Sequence, residues 1–507
     1  MEHTIIAKTF KGLEEVLAKE VIALGGNNVE IGNRMVSFTG NKEMLYRANF
    51  CLRTAIRVLK PIAVFKADDA DKVYEEAKKI DWQEYMDVNT TFLVDAVVFS
   101  DNFRHSQFAA YRMKDAIADY WREKTGDRPN VSISNPGLRI NLHISNEDVT
   151  VALDSSGESL HLRGYKVKNT EAPINEVLAA GLIMLSEWDC QSDFIDPFCG
   201  SGTILIEAAL IARNIYPGVF RKEYAFEKWK DYDADLFERI YNDDSEEREF
   251  NHRIYGYDIN SRAVQIAQDN VKSAGVSNIV EVQQRDIAEF EQPAEKAIMI
   301  TNPPYGERIG AVKGGNLEEL YATIGERLKH AFIGCDAWII SNREEFFANV
   351  GMRPSTKYAL FNGNIECEFR KYQVFDGKLK QQREKGVDIK SEEERKRNAK
   401  YKPHKKNEDG SWTREKTEEE ADHYFKAKPF KEGFRKNRKD DDDQERGERK
   451  DRGERRDRGE RKDRGRRDEK GERPGRMSSF EQCRRMYEAM DDEEAEIIKK
   501  HLRKWEK

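Results

Sequence analysis

The chain has 507 residues, which exceeds the size of one compact core, so several folded units are expected. Charged residues make up 36% of it, yet 87 Lys and Arg against 94 Asp and Glu leave a net charge of only −7, which indicates a segment of mixed charge. No apolar run reaches the roughly 18 residues of a membrane span, the start lacks a secretion signal, and the six cysteines form no C-x-x-C pair. We therefore expect a cytoplasmic protein without a metal or a membrane anchor.

The first 156 residues predict two small α/β units. Residues 1–65 follow the order strand, helix, strand, strand, helix, strand, which is that of the ferredoxin-like fold. Residues 66–156 predict helices at 71–80 and 107–122, and strands at 91–98, 138–144 and 149–153. Neither unit contains paired carboxylates, a Ser/His/Asp set or a metal-ligand cluster, so we expect both to bind rather than catalyse.

The segment 102–117 has two interpretations. Cationic side chains interleaved with aromatic rings can hold the phosphates and bases of RNA, and these cations are Arg104, His105, Arg112 and Lys114. The alternative is an ordinary amphipathic helix with its apolar side inward and its charges in solvent. Spacing alone favours the helix, whereas the family resemblance described below favours RNA binding.

The chemistry-bearing half begins with an apolar strand that ends in Asp196-Pro-Phe-Cys-Gly-Ser-Gly-Thr203. An open α/β sheet binds nucleotide-like ligands at such a strand–turn–helix junction. Gly200 and Gly202 let the backbone approach the ligand, and the helix that starts near Thr203 points its N–H groups toward it. Because Leu205 replaces the third glycine of a dinucleotide fingerprint, a pyrophosphate site is disfavoured.

Two further acids follow the next two predicted strands. Asp258 ends the strand Ile254-Tyr-Gly-Tyr, where a carboxylate can accept both hydroxyls of a ribose, and Asp286 can receive an adenine amino group. Residues 216–252, before the first of these strands, resemble an inserted lid or helix. Ligand-facing positions at three successive strand ends predict an adenosine-bearing cofactor held by its amino-acid end, ribose and base.

The most specific signal is Asn302-Pro303-Pro304-Tyr305, directly after an apolar strand. The prolines fix the backbone and remove two N–H donors. The Asn302 side-chain oxygen and the Pro303 carbonyl can then each accept one hydrogen of an exocyclic amino group, which aims the nitrogen lone pair at an electrophilic methyl group. Tyr305 offers a ring face on which a flat base can stack. The simpler alternative is a turn that ends a strand, which the upstream acids disfavour.

The charge excess lies in the last part of the chain. Residues 445–473 contain 14 Lys and Arg and 10 Asp and Glu but no apolar residue, so residues 378–507 are expected to be mostly disordered. Arginine next to glycine is typical of arms that bind the RNA backbone, whereas the regularly spaced acids favour a solubilising tail equally well. Residues 479–505 have the spacing of one isolated helix.

The glycine turn, the acids Asp258 and Asp286, and the Asn302–Tyr305 run together resemble a class I S-adenosylmethionine-dependent methyltransferase that acts on a planar amino nitrogen. With Leu162-Arg-Gly-Tyr-Lys and Ala172-Pro-Ile-Asn-Glu-Val upstream, the chain up to about residue 375 resembles the bacterial THUMP-domain methyltransferases that modify guanine N2 in large-subunit ribosomal RNA. S-adenosylmethionine is the implied cofactor and RNA the implied partner. The longest members carry a second methyltransferase domain, and a single methylation activity is expected here.

The resemblance implies an α/β architecture in four parts. These are a ferredoxin-like region over 1–65, an RNA-capturing THUMP domain over 66–156, a Rossmann-like seven-stranded sheet with a reversed last strand over 157–377, and the charged tail over 378–507. The final strands are expected at 338–341, 358–361 and 367–375, with Asn362-Gly363 between the last two.

The resemblance also implies roles for individual residues. The methionine end of the cofactor is assigned to Asp196, Phe198, Gly200, Gly202 and Thr203, the ribose to Asp258 and Ile259, and the adenine to Asp286. Asn302 faces both ligands, and with Pro303, Pro304 and Tyr305 it holds the target base. Asn175 and Glu176 are expected to close over the cofactor.

Several rival functions share the Asn-Pro-Pro-Tyr run. It also occurs in enzymes that methylate adenine N6 in DNA or the glutamine amide of release factors, and those lack an RNA-capturing half of this kind. Guanine N2 in transfer RNA is the nearest competitor, because THUMP domains serve both RNAs. A binding protein for ribosome assembly, without turnover, is the remaining alternative, and the intact Asn302–Tyr305 run argues against it.

Overall fold

The structure is a computed structural model that describes residues 2–103, 106–170, 173–293, 296–305 and 317–374, together with the backbone of 404–406 and 412–414. Two seven-stranded sheets contain all but two of the strands in this part of the chain.

The first half of the chain forms one continuous sheet in the order β2-β3-β1-β4-β7-β6-β5. Its elements are β1 (His3–Lys8), α1 (Glu14–Ala23), β2 (Asn27–Gly32), β3 (Met35–Gly40), α2 (Lys42–Cys51), β4 (Arg57–Lys66), α3 (Ala70–Lys78), β5 (Phe92–Phe99), α4 (Ser106–Thr125), β6 (Leu138–Ser145) and β7 (Asp148–Asp154). The predicted ferredoxin-like order is present in the first six elements. Strand β4 pairs antiparallel with β7, so the two units expected from the sequence share a sheet.

The second half forms the expected sheet of a class I methyltransferase. Its elements are α5 (Glu176–Leu185), β8 (Asp193–Asp196), α6 (Thr203–Ala212), α7 (Ala234–Asn242), β9 (Ile254–Asp258), α8 (Ser261–Ser273), β10 (Val280–Gln284), β11 (Ala297–Thr301), α9 (Leu317–Ala331), β12 (Asp336–Ser341), α10 (Glu344–Asn349), β13 (Thr356–Asn362) and β14 (Ile365–Gln373). The order is β10-β9-β8-β11-β12-β14-β13, and β14 runs antiparallel to both of its neighbours, whereas the other adjacent pairs are parallel. The prediction of a reversed last strand is confirmed.

The turn between β13 and β14 lies one residue later than expected. Asn362 is the last residue of β13 and pairs with Ile365, so the two turn residues are Gly363 and Asn364. Gly363 has a φ of 64°, a left-handed conformation that a tight two-residue hairpin favours and that glycine adopts without strain. The last predicted residue of β14, Phe375, lies outside the described residues.

The insertion at 216–252 contains the expected helix, α7, but it packs on the first half of the molecule. The ring of Phe226 stacks on Tyr46 of α2 with centroids 4.2 Å apart, and both belong to the apolar core of the first sheet. Lys230 forms an ion pair with Asp87 at 2.9 Å. These contacts make the insertion a joint between the two halves, which differs from the lid that was the other expectation.

The tail contains a short element that the sequence did not predict. Strands β15 (His404–Lys406) and β16 (Trp412–Arg414) pair antiparallel. The other expectations for 378–507, disorder and a helix at 479–505, concern residues outside the described part. Where the structure describes the chain, no helix has both the length and the apolar character to cross a membrane.

Candidate active site

The candidate site lies where four neighbouring parallel strands end. Strands β10, β9, β8 and β11 are adjacent, so their carboxyl ends meet at one edge of the second sheet. The predicted polar residues end these strands or follow them, and they are Asp196, Asp258, Asp286 and Asn302. Open α/β sheets bind their ligands at this edge.

Asp196 is a buried carboxylate with one oxygen left for a ligand. Its Oδ1 accepts hydrogen bonds from the Thr301 hydroxyl at 2.6 Å and the Phe198 N–H at 3.1 Å. Its Oδ2 is buried and has no hydrogen-bond partner among the described residues. Burial raises the pKa of Asp196 to about 7, and the nearby carboxylate of Asp258 adds to that rise. Since an unpaired buried acceptor is costly, this oxygen suits a donor or a cation supplied by a ligand.

The glycine turn after β8 leaves open space beside its backbone. Gly200 has a φ of 54°, and a Cβ added there would lie 4.0 Å from its nearest neighbour, the Thr170 hydroxyl oxygen. Gly202 has a φ of 80°, and a Cβ there would come within 3.2 Å of Ala267. Helix α6 starts at the next residue, Thr203. The turn therefore leads into the helix N-terminus that the sequence predicts, with open space at Gly200, whereas Gly202 packs closely on α8.

The two remaining acids are held by backbone N–H groups. The Oδ2 of Asp258 accepts the N–H of Gly200 at 3.1 Å, and its Oδ1 accepts a second backbone N–H at 2.8 Å. Burial raises the pKa of Asp258. Asp286 caps a short 3-10 turn by accepting a backbone N–H at 2.9 Å. The Ile259 side chain is 64% exposed, which leaves an apolar surface directly after Asp258.

Asn302 directly follows β11, and its side-chain oxygen is available as an acceptor. Its Oδ1 is buried and has no hydrogen-bond partner among the described residues. Pro303 is buried and Pro304 is half-buried, and neither has an N–H to donate. The Tyr305 ring is only 9% exposed, and its hydroxyl accepts a hydrogen bond from Asn362 at 2.8 Å. The Asn302 oxygen is therefore available to a ligand and its role stays a prediction, whereas Tyr305 exposes little of the face that stacking requires.

Asn175 and Glu176 have partners within the protein. The Asn175 Oδ1 accepts the N–H of Val177 at 2.9 Å and so caps the start of α5. Glu176 is buried and pairs with Lys166 at 2.7 Å. Helix capping and an ion pair account for both side chains, and a contact of either with the cofactor stays a prediction.

Two of the four predicted RNA contacts, Arg112 and Lys114, lie on α4. Arg104 and His105 lie outside the described residues. Arg112 forms an ion pair with an aspartate of α3 at 2.8 Å, and its guanidinium lies 4.3 Å from the ring centroid of Tyr74. Lys114 pairs with its neighbouring aspartate at 3.0 Å. Arg112 and Lys114 line a cleft of about 600 Å³, and RNA binding by either stays a prediction.

The alternative interpretation of that segment is confirmed for its fold. Helix α4 is amphipathic, and its buried residues are Ala109, Met113, Ala116, Ile117, Tyr120 and Trp121. A helix of this kind carries its charges on the opposite face, where they are available to solvent or to a ligand.

Asn270 is a residue that the sequence analysis missed. It is fully buried on α8, where its Oδ1 accepts the N–H groups of Val167 and Lys168 at 2.8 and 3.2 Å. Its Nδ2 donates to the carbonyls of Lys168 and Ser201, both at 2.9 Å. Asn270 thus ties the segment before α5 to the glycine turn. An amide within the apolar stripe of α8 is a signal of a satisfied buried group, but the stripe does not identify its partners.

The Leu162-Arg-Gly-Tyr-Lys motif forms a buried joint. Arg163 lies 3.5 Å from Glu207 of α6, and the Tyr165 hydroxyl donates to the same carboxylate oxygen at 2.9 Å. Arg163 also donates to the backbone carbonyls of Leu160 and Arg53, and the latter belongs to the first half of the chain. Burial raises the pKa of Glu207. The motif therefore links the two halves and contacts α6, the helix that begins directly after the glycine turn.

The residues at the strand ends fit an S-adenosylmethionine site. The cofactor is a cation with an ammonium group, a ribose and an adenine, all of which need acceptors, and Asp196, Asp258 and Asp286 supply carboxylates in that order along the edge. The open space beside Gly200 leaves room for the methionine end of the cofactor. No cluster of three or more His, Cys, Asp or Glu that could hold a metal ion is found in the described part of the chain.

Comparison with known families assigns three successive parts of the chain, up to residue 371. Residues 163–371 match the RMKL-like methyltransferase domain, residues 67–154 match the THUMP domain, and residues 4–59 match the RlmL ferredoxin-like domain. A crystal structure of a putative methyltransferase complexed with SAH is 29% identical, with a TM-score of 0.67 over 74% of this chain and 99% of that chain. The fold is that of a class I methyltransferase, and S-adenosylmethionine is its cofactor.

Two relatives define the family more closely. A putative RNA methyltransferase of Synechocystis sp. is 34% identical over 371 residues, which are 73% of this chain and 96% of that protein. The ribosomal RNA large subunit methyltransferase K/L of Cellvibrio japonicus is 36% identical over 388 residues, 74% of this chain and 51% of that protein. The chain belongs to the RMKL-like methyltransferases that carry a THUMP domain, and it spans about half the length of its K/L relatives.

Proposed function

We propose that the chain transfers a methyl group from S-adenosylmethionine to the exocyclic N2 amino group of a guanine in large-subunit ribosomal RNA. The observation that carries this proposal is the buried Oδ1 of Asn302, which has no hydrogen-bond partner among the described residues and follows β11, the strand next to β8 and Asp196. An acceptor without a partner at that position suits an amino group that arrives with the substrate.

The chemistry follows from two acceptors and no strong base. When bound, S-adenosylmethionine would supply an electrophilic methyl group, so that an N–C bond forms as the S–C bond breaks, S-adenosylhomocysteine leaves, and the nitrogen releases one proton to solvent. The Asn302 Oδ1 and the Pro303 carbonyl each accept one hydrogen of the amino group, which keeps the nitrogen lone pair free and directs it away from the ring plane. The double proline holds both acceptors in a fixed direction, so little reorganisation is needed during transfer. Positioning and electrostatics account for the rate.

Cofactor binding is proposed for the residues at the strand ends. Asp196 and the turn Phe198–Thr203 receive the methionine end, Asp258 and Ile259 the ribose, and Asp286 the adenine. The half-buried position of Asp258 between two backbone N–H groups keeps its carboxylate oriented toward the edge. Asn175 contributes through the start of α5.

RNA capture is proposed for the first half of the chain. The THUMP domain match, and the activity after which the K/L relatives are named, support a ribosomal RNA substrate. Arg104, His105, Arg112 and Lys114 are the proposed contacts, with phosphates as their targets. The proposed boundaries are 1–65, 66–156, 157–377 and 378–507.

The substrate is tested by offering the purified full chain separate pools of nucleic acid with methyl-labelled S-adenosylmethionine. The pools are large-subunit RNA, small-subunit RNA, transfer RNA and DNA, all from a strain that lacks the gene, so that the target is unmodified. Digestion to nucleosides should give labelled N2-methylguanosine from the large-subunit RNA. Label confined to transfer RNA, or recovered as N6-methyladenine from DNA, would replace the proposal with one of its rivals.

A further inference from the structure

Thr301 is a buried polar residue at the end of an apolar strand. It follows the residues Ala297, Ile298, Met299 and Ile300, all of which are buried, and it directly precedes Asn302. Its own side chain is 0% exposed. A buried hydroxyl is costly unless it forms a hydrogen bond, so its presence in this strand needs a reason.

The reason is its partner at the end of the neighbouring strand β8. The Thr301 hydroxyl donates to Asp196 Oδ1 at 2.6 Å, a short hydrogen bond to a carboxylate, and bonds of this type are about twice as strong as neutral ones. The same oxygen accepts the N–H of Phe198 in the glycine turn. One carboxylate thus holds both the turn that receives the cofactor and the strand end that leads to Asn302.

The main-chain ladder between β8 and β11 does not extend to Asp196 and Thr301. The ladder between β8 and β11 ends at the pair Ile195–Met299, before either strand is complete. On its other side β11 remains paired with β12 through Thr301 and Ile339. The end of β11 at Thr301 is therefore held by main-chain pairing on the β12 side, and by the Thr301 hydroxyl on the side of the cofactor.

We propose that Thr301 is a positioning residue for methyl transfer, whose hydroxyl fixes the Asn302 oxygen relative to the cofactor turn through Asp196. This inference rests on the proposed function of Asn302. A displacement of about 1 Å at a reacting centre lowers a rate by about a hundredfold. Thr301 itself touches neither ligand and acts through the residues on its two sides.

The test compares hydroxyl and apolar side chains at this position in the full-length chain. Thr301→Val keeps the shape and removes the hydroxyl, and we expect kcat to fall at least about tenfold while the Kd for S-adenosylhomocysteine changes less than about threefold. Thr301→Ser keeps the hydroxyl and should retain most of kcat. Thr9→Val is the matched control, because the buried Thr9 hydroxyl also donates a hydrogen bond of 2.6 Å, in the first half of the chain.

Three results would overturn the inference. These are a Thr301→Val variant with kcat within twofold of the unaltered chain, a Ser variant as impaired as the Val variant, or a loss of cofactor affinity in proportion to the loss of kcat. If Thr301→Val does not fold, Thr301→Ser and Thr301→Ala, which differ only in the hydroxyl, give the same comparison. The nucleoside methylated by the unaltered chain tests the proposed function separately, since the ratio of kcat values can be measured on whichever substrate is found.

Discussion

The two sheets of this chain present their polar side chains in opposite ways. At the ends of β8 and β11, Asp196 and Asn302 each keep one buried oxygen without a partner among the described residues. On α4, beside the first sheet, Arg112 and Lys114 form ion pairs with neighbouring aspartates. The first arrangement is incomplete without a ligand, whereas the second must exchange partners before RNA can bind. Geometry therefore supports the chemical half of the account more strongly than the RNA-binding half.

The largest expected effect is at Asn302. Replacing it with Ala removes one of two acceptors, so kcat should fall about a hundredfold or more, the usual cost of one group that stabilises a transition state. The Kd for S-adenosylhomocysteine, measured by calorimetry, should stay within about threefold. Asn242→Ala, an exposed asparagine on α7, is the matched control and should leave kcat unchanged. Undiminished transfer by the Asn302 variant would show that the catalytic assignment is wrong.

The buried contacts of Arg163, which link the two halves, should make a large contribution to the free energy of unfolding. Arg163→Ala leaves the buried Glu207 and two carbonyl groups without their partner, and the free energy of unfolding should fall by about 3 kcal/mol. Glu207→Gln should cost much less, because burial already raises the pKa of Glu207 and glutamine keeps an oxygen for Tyr165. Denaturant unfolding measures both, with the exposed Arg239→Ala as control. Equal losses for the Arg163 and Arg239 variants would contradict a joint at this position.

Asn270 connects stability with the cofactor edge. Asn270→Ala removes four hydrogen bonds between α8, the segment 167–168 and the carbonyl of Ser201. We expect unfolding to become easier by about 2 kcal/mol and the affinity for S-adenosylhomocysteine to fall about tenfold. Gln265→Ala, on the exposed side of the same helix, should change neither. Unchanged cofactor affinity despite lower stability would limit Asn270 to packing.

The raised pKa of Asp196 predicts a pH dependence of cofactor affinity. With a pKa of about 7, the carboxylate loses its charge as the pH falls below 7, and a neutral carboxyl attracts the ammonium group less. The affinity for S-adenosylhomocysteine should therefore fall about fivefold between pH 8 and pH 6. Asp196→Asn should bind weakly and without this pH dependence. An affinity that is flat, or that rises on acidification, would contradict an ionised Asp196 in the complex.

The smallest expected effect concerns the affinity of Arg112 for RNA. If Arg112 contacts RNA, its ion pair with Asp71 competes with that contact. Asp71→Asn should then raise the affinity for RNA two- to threefold at low salt, with the gain lost at high salt. Asp235→Asn, an exposed aspartate on α7, controls for the change in net charge. Equal effects of the two variants would assign Arg112 to the fold alone.

The sequence predicted those parts of the site that depend on local order along the chain. Asp196, Asp258, Asp286 and Asn302 each follow an apolar strand, and parallel strands bring their carboxyl ends to one edge, so no further information was needed to group them. The seven-stranded sheet with its reversed last strand was implied by the family resemblance alone. The turn after β8 was predictable from Gly200 and Gly202, because glycine adopts tight backbone conformations without strain.

The parts that were missed depend on neighbours far apart in the chain. The partners of Thr301 and Asn270 lie about 100 residues away, and a buried polar residue in an apolar pattern does not identify them. The shared first sheet arises from the pairing of β4 with β7, which neither strand encodes alone. The role of 216–252 was similarly open, because its aromatic residues suit any apolar partner and the structure places them on α2.

The central claim is that this chain methylates guanine N2 in large-subunit ribosomal RNA, with Asn302 as the acceptor that grips the base. It is tested most directly by mapping methylated nucleosides in the RNA of a deletion strain that carries either the unaltered gene or the Asn302→Ala variant. The account predicts that one N2-methylguanosine of the large-subunit RNA is absent in the deletion strain, returns with the unaltered gene and stays absent with the variant. Full restoration by the variant, or a change confined to another nucleoside or another nucleic acid, would contradict it.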